Sequence, residues 1–238
     1  MRINKFISES GVCSRREADA WIEAGRVAIN GRPATLGSQV EPGDRVTVDG
    51  EPVGARNPVV YIALHKPTGI TCTTERSVAG NIVDYVDHPQ RIFPIGRLDK
   101  DSEGLILLTN DGDIVNEILR AEHAHEKEYV VTVDRPVTPE FLEAMRSGVE
   151  ILGTRTRPCV AERVSKQVFR IVLTQGLNRQ IRRMCEALGY RVRRLVRIRI
   201  MHVLLEGLEL GEWRDLTAEE VRELHRRCGR AVADPGAD

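Results

Sequence analysis

The segment Leu173-Thr174-Gln175-Gly176-Leu177-Asn178-Arg179-Gln180-Ile181-Arg182-Arg183-Met184 stands where an apolar run gives way to a run of arginines. Val168–Thr174 reads as a strand, Asn178–Leu188 as a helix and Arg193–Leu205 as a further strand. Outward from there, the pattern predicts strands at Val59–Leu64, Leu105–Thr109 and Lys127–Val133. It predicts helices at Asp111–Arg120, Pro139–Ser147 and Ala218–Arg227. Strands and helices mix without regular alternation, which favours an α+β fold over a doubly wound sheet.

The first fifty residues read as a smaller unit. Ile3, Phe6 and Ile7 recur at helical spacing, and Ser14-Arg15-Arg16-Glu17 is a capping box opening a helix to about Ala24, with Gly25 to end it. Val27–Ile29 followed by Asn30-Gly31 reads as a strand entering a tight turn, with a second strand at Arg45–Val48. Asp49–Pro58 holds two Gly, two Pro and no apolar periodicity. It reads as a linker, which sets the expected domains at 1–56 and 57–228, with 229–238 a frayed tail.

The 238 residues balance 35 Lys+Arg against 35 Asp+Glu, and 41% apolar content is ordinary for a globular protein. A net charge of zero argues against a nucleic-acid partner only until the distribution is read. Arg179–Arg199 carries eight Arg against Glu186 alone, so this segment is +7 and the remainder −7. Such sign bias is the footprint of a polyanion partner, whereas a solvated face usually alternates sign. Arg also dominates Lys, 30 to five, and Arg pairs bidentately with phosphate.

Five scattered Cys without C-x-x-C spacing form neither a disulfide framework nor a zinc site, and read as reduced cytosolic thiols. No apolar run suggests a signal peptide or a membrane span. His123, His125 and Glu126 lack a third committed ligand, so no metal is expected. The glycines form neither G-x-G-x-x-G nor a P-loop. Two segments could carry chemistry. In Gly96-Arg97-Leu98-Asp99-Lys100-Asp101-Ser102-Glu103-Gly104, glycines bracket a dense charge set, and Asp99 between Arg97 and Lys100 would stay ionised and usable as a nucleophile. In Lys127-Glu128-Tyr129, strand alternation puts Lys127 and Tyr129 on one face, where a phenol can stack on a base or move a proton. On spacing alone, a polar turn and a half-buried core Tyr account for both.

Gly96–Asp99, Lys127–Tyr129 and Leu173–Met184, in this order, resemble the three core motifs of the RsuA-type pseudouridine synthases. His65-Lys66-Pro67-Thr68-Gly69-Ile70 is similar to that family's opening strand and turn. Arg2–Gly50 resembles the alpha-L RNA-binding module named for a ribosomal small-subunit protein. Within the family, the segments "INKFISESGVCSRREAD", "HEKEYVVTV" and "LNRQIRRMCE" look most like the F-type branch that acts on the large subunit. The resemblance implies a mixed, mainly antiparallel catalytic sheet and isomerisation of a uridine in ribosomal RNA, 23S by that likeness, without metal or diffusible cofactor. It implies Asp99 as the catalytic carboxylate, Tyr129 as the ring stacked on the uracil, and Arg182 paired with Asp99. Arg97, Lys127, Leu177, Arg179, Ile181 and Arg183 would bind substrate. In the small module, Arg2, Lys5, Ser14, Arg15, Arg16, Asn30 and Arg32 would contact RNA. A cytoplasmic monomer is expected. The alternative is a non-catalytic RNA-binding or ribosome-assembly factor, which accounts for the basic segments but not for the other motifs.

Overall fold

The computed structural model describes residues 1–54, 57–119 and 124–230, arranged as two compact units. One comprises Met1–Val60 with His88–Ile92; the other comprises Tyr61–Asp87 and the chain from Phe93 onward.

In the first unit, α1 (Ile3–Glu9) and α2 (Arg15–Glu23) precede four short strands: β1 (Val27–Ile29), β2 (Arg32–Pro33), β3 (Val46–Val48) and β4 (Glu51–Pro52). They form an antiparallel sheet in the order β2-β1-β3-β4. The expected capping box is present: the Ser14 hydroxyl accepts from Glu17 N–H, and the Glu17 carboxylate accepts from Ser14 N–H. Helical spacing sends Ile3 and Ile7, and Ala18 and Ile22, into one core with Val27, Val40 and Val46. Asn30 and Gly31 both have positive φ, 52° and 77°, as a two-residue hairpin turn requires.

The second unit contains β5 (Tyr61–Lys66), α3 (Ile82–Val86), β6 (Phe93–Pro94), β7 (Glu103–Thr109), α4 (Gly112–Leu119), β8 (Lys127–Val133) and α5 (Pro139–Ser147). It continues through β9 (Glu150–Ile151), β10 (Thr154–Arg155), β11 (Val160–Ser165), β12 (Val168–Leu173) and α6 (Gln180–Ala187). β13 (Val192–Ile200), β14 (Val203–Leu204), β15 (Trp213–Asp215) and α7 (Ala218–Arg227) complete it. Its main sheet runs β11-β12-β8-β13-β7-β5-β15, with β6 and β14 paired off β7 and β13. Among the described residues every named pairing in this sheet is antiparallel except β13 with β7. The unit is therefore α+β with a mixed, mainly antiparallel sheet, as expected.

Central strands and capped helices match their sequence signals closely. β8, α5 and α7 have the expected bounds, because alternation or an N-cap marks each. The expected strand Arg193–Leu205 is two strands, broken where Met201 takes a positive φ of 54°. α6 starts two residues later than expected, because Arg179 adopts the left-handed conformation at its N-cap. β11 and β15 lie at the sheet edges and have no counterpart among the expected strands; only Ala161 is buried in β11, so no apolar alternation marks it. The expected frayed tail begins too early. Arg230 donates to Asp111 at 2.6 Å, beside Tyr61, whose hydroxyl also donates to Asp111 at 2.9 Å and meets His225 Nε2 at 2.9 Å. Residues 231–238, Arg120 and His123 lie outside the described residues.

Candidate active site

Asp99 sits in a turn that leads into β7, closed by Ser102 N–H donating to the Asp99 carbonyl at 3.0 Å. The turn has room only because of two glycines. Gly96 has a φ of +78°, and a Cβ there would press on Leu119. Gly104 has a φ of +113°, and a Cβ there would collide with the backbone of Arg197. A side chain is excluded at Gly104 by the neighbouring backbone, and at Gly96 the positive φ favours glycine.

Two arginines from the α6 end face this turn. Arg179 grips Asp101 with two hydrogen bonds of 3.0 Å, and its Nη1 lies 3.5 Å from Asp99 Oδ2. Arg182 Nη2 donates to the Asp101 carbonyl at 2.8 Å and to Ser102 Oγ at 2.9 Å. Its Nε lies 3.5 Å from Asp101 Oδ2 and 3.8 Å from Asp99 Oδ2. That Nε is buried and has no hydrogen-bond partner among the described residues. Arg182 thus lies in ion-pair range of Asp99, within a cluster in which two arginines share two carboxylates and Asp101 takes the closer bonds. The hydrogen bonds from Arg179, helped by Arg182, hold the Asp101 carboxyl below its usual range. Asp99 keeps a side chain 32% exposed, so its carboxylate is open to a ligand rather than sealed in an apolar pocket.

Tyr129 is buried at 9% exposure and pairs across the sheet with Arg197 on one side and Ile171 on the other. Lys127, two residues earlier, shares its face by alternation. Its ammonium donates to the His125 carbonyl at 3.5 Å. Burial first, then the charge of Arg197, push the Lys127 ammonium down to about 8. Ile181 is buried, Leu177 half-buried, and Arg97 exposed. Lys66, fully buried at the end of β5, donates to the Pro67 and Ile70 carbonyls at 2.8 and 3.0 Å. Burial also lowers its ammonium from the ordinary lysine range.

The basic segment is less naked than its sequence suggests. Arg194 pairs with Glu103, and Arg199 with Glu128 and Glu126. Glu128 also meets Arg170, which reaches Glu162, so a charge ladder crosses β11, β12, β8 and β13. Arg197 is not a phosphate contact at all; it is 3% exposed. Arg183, Arg191 and Arg193 remain without an acidic partner among the described residues. The +7 segment reads as one strip in sequence because its acids lie far off along the chain, at 101, 103, 126 and 128.

In the first unit, Ser14 and Asn30 are committed internally, Ser14 to its capping box and Asn30 to Asp44 and the Arg45 N–H. Lys5 lies 3.6 Å from Glu9. Arg2, Arg15, Arg16 and Arg32 are exposed. Among the described residues no group of three His, Cys, Asp or Glu is placed to hold a metal.

Comparison with known proteins bears on this arrangement directly. The model of the RNA pseudouridylate synthase family matches residues 60–187, and that of the S4 domain matches residues 1–46. The chain belongs to the RNA pseudouridylate synthase family. It is 59% identical over 228 residues to the dual-specificity RNA pseudouridine synthase RluF of Escherichia coli (strain K12), covering 95% of this chain and 79% of that protein. It is 38% identical to the ribosomal large subunit pseudouridine synthase B of Bacillus subtilis (strain 168), over 99% of this chain and 98% of that one. A crystal structure of a pseudouridylate synthase, 32% identical, superposes with a TM-score of 0.69 over 94% of this chain and 99% of the other. The resemblance carried by the three motifs is borne out, and the chain is a pseudouridine synthase with an S4 module. Nothing among its relatives favours the non-catalytic alternative. Asp101, Lys66 and Arg197 are residues beside the site to which the sequence alone assigns no role. A lysine ending an apolar strand is the one visible signal among them.

Proposed function

We propose that this synthase isomerises a uridine in ribosomal RNA, in the 23S molecule of the large subunit, acting as a cytoplasmic monomer without metal or diffusible cofactor. The observation that carries the reading is Asp99, a partly exposed carboxylate held in a fixed turn with two arginines beside it. The relatives named for RNA and large-subunit pseudouridylation support the substrate class. No helix among the described residues is long and apolar enough to cross a membrane.

Isomerisation breaks the N1–C1′ bond, turns the uracil, joins C5 to C1′ and releases the C5 proton. A base inside a duplex cannot be reached, so the target nucleotide must leave the stack. Asp99 acts on that nucleotide as nucleophile or proton acceptor, with the positive charges of Arg182 and Arg179 beside its carboxylate. Tyr129 stacks on the uracil, and Leu177 and Ile181 line its pocket. Arg97, Lys127 and Arg183 hold the nucleotide and its phosphate. Arg2, Lys5, Arg15, Arg16 and Arg32 of the S4 module bind flanking RNA.

The test uses 23S rRNA tritiated at uridine C5. Wild type releases tritium to water and Asp99→Asn releases none above background. Undiminished release by Asp99→Asn removes Asp99 from the chemistry. Release by wild type from 16S rRNA, with none from 23S, overturns the proposed substrate.

A further inference from the structure

The turn that carries Asp99 has no regular secondary structure, yet each carbonyl from Arg97 to Asp101 accepts a hydrogen bond, four of the five from outside the turn. Arg197 Nη1 donates to the Arg97 carbonyl at 3.5 Å, and Cys72 Sγ donates to that of Leu98 at 3.2 Å. Ser102 N–H donates to the Asp99 carbonyl at 3.0 Å, and Gly69 N–H to that of Lys100 at 2.7 Å. Arg182 takes the Asp101 carbonyl. Arg197 alone among these donors reaches both ends of the loop, because its Nε also donates to the Leu105 carbonyl at 2.6 Å, past the turn and inside β7.

The backbone around Arg197 is built for this reach. β13 runs parallel to β7 with Arg197 opposite Gly104, and antiparallel to β8 with Arg197 opposite Tyr129. The pairing with β8 slips between Arg197 and Arg199, a bulge that leaves one residue extra. Bulges re-aim the side chains beside them. The absent side chain at Gly104 lets the two backbones approach. One row across four strands therefore reads Tyr129, Arg197, Gly104, Lys66. Arg197 is almost wholly buried with no carboxylate bound, and its Nη2 has no hydrogen-bond partner among the described residues. A buried guanidinium held by carbonyls alone is costly to the fold, and such a cost is tolerated where the group fixes a functional geometry.

We propose that Arg197 is a positioning residue for catalysis: by clamping the Arg97 and Leu105 carbonyls it fixes the loop that presents Asp99 to the nucleotide, beside the ring of Tyr129. The proposal rests on the reading of Asp99 as the catalytic carboxylate. Arg197 is almost wholly buried and meets the loop through backbone carbonyls, so its effect on Asp99 is exerted through the loop. Its loss misplaces Asp99 without removing the RNA-binding surface, and so lowers the saturated rate while leaving affinity in place.

Arg197→Lys and Arg197→Met are to be compared with wild type and Asp99→Asn in single-turnover tritium release at saturating RNA, with RNA Kd by filter binding and folding by circular dichroism. Expected for Arg197→Met is a rate loss of about a hundredfold, the penalty of a displacement near 1 Å, with Kd within about threefold. Arg197→Lys, whose ammonium still reaches one carbonyl, recovers part of that rate. A folded Arg197→Met at wild-type rate overturns the proposal, as does a rate loss matched by equal loss of affinity. Failure of both variants to fold also overturns it, in favour of a purely structural arginine. An active Asp99→Asn would instead overturn the reading beneath it.

Discussion

Lys127 is an amine placed where its charge is disfavoured. Its environment lowers the ammonium from 10.5 to about 8, through burial and then the neighbouring Arg197. For a cation whose folded value is depressed, the cost to folding is full below the folded value and vanishes above the unfolded one. Stability withheld by Lys127 is therefore fully withheld below pH 8 and is regained as pH rises from 8 towards 10.5. Lys127→Met is expected to be more stable than wild type at pH 7, by an amount on the order of 3 kcal/mol at most, with the gap closing by pH 10.5. Urea unfolding of both proteins across that range measures it; a gap independent of pH would show that packing, not charge, sets the difference. Gly104 makes the opposite case. Alanine there must adopt a φ of +113° and push against Arg197, so Gly104→Ala is expected to lose on the order of 3 kcal/mol. Urea denaturation reads this, and an unchanged midpoint would mean that β7 and β13 separate freely.

At the scale of elements, the run from Arg179 to Arg199 divides its arginines between four tasks, Arg197 being the one buried against backbone carbonyls. Arg179 and Arg182 face the Asp99 turn, Arg194 and Arg199 join the acids of β7 and β8, and Arg183, Arg191 and Arg193 have no acidic partner among the described residues. Only the last group can release counterions from RNA without first breaking an ion pair. Arg183→Gln and Arg193→Gln are each expected to lower the slope of log K against log salt by about 0.7–0.9, and Arg194→Gln by much less. Filter binding at several salt concentrations separates them, and equal slopes for all three variants would show that the pairs dissolve on binding. The same comparison explains what the sequence discloses. β8, α5 and α7 are legible because alternation or a capping residue is a local signal. The edge strands β11 and β15 are not, since an edge needs no apolar face. Of the candidate site, Asp99, Tyr129 and Arg182 stand out in sequence through their motifs, whereas Asp101 as the close partner of Arg179 does not. Burial of Arg197 is hidden for the same reason: nothing local distinguishes it from Arg193, and only the sheet register places it beneath the loop.

For the molecule as a whole, the net charge of zero conceals exposed arginines in both units, and those of the S4 module include Arg2, Arg15, Arg16 and Arg32. The four S4 arginines are placed to add to the attraction that Arg183, Arg191 and Arg193 exert from the catalytic unit. Exposed cations act on the encounter and on affinity through phosphate, which carries no information about the reacting base. With Asp99 as the proposed catalytic carboxylate, turnover at saturation depends instead on the fixed geometry around it. Changing Arg2, Arg15, Arg16 and Arg32 together to Gln is therefore expected to weaken RNA binding and to lower the salt slope by about 3, at about 0.7 for each single-strand phosphate no longer neutralised. The saturated rate of tritium release should stay within about twofold of wild type, because uniform binding energy affects KM and not kcat. Measuring Kd, its salt dependence and the single-turnover rate on the same RNA decides the matter. Unchanged affinity would place RNA recognition in the catalytic unit. A saturated rate that falls with affinity would mean that the module's hold on RNA strengthens as the nucleotide leaves its stack.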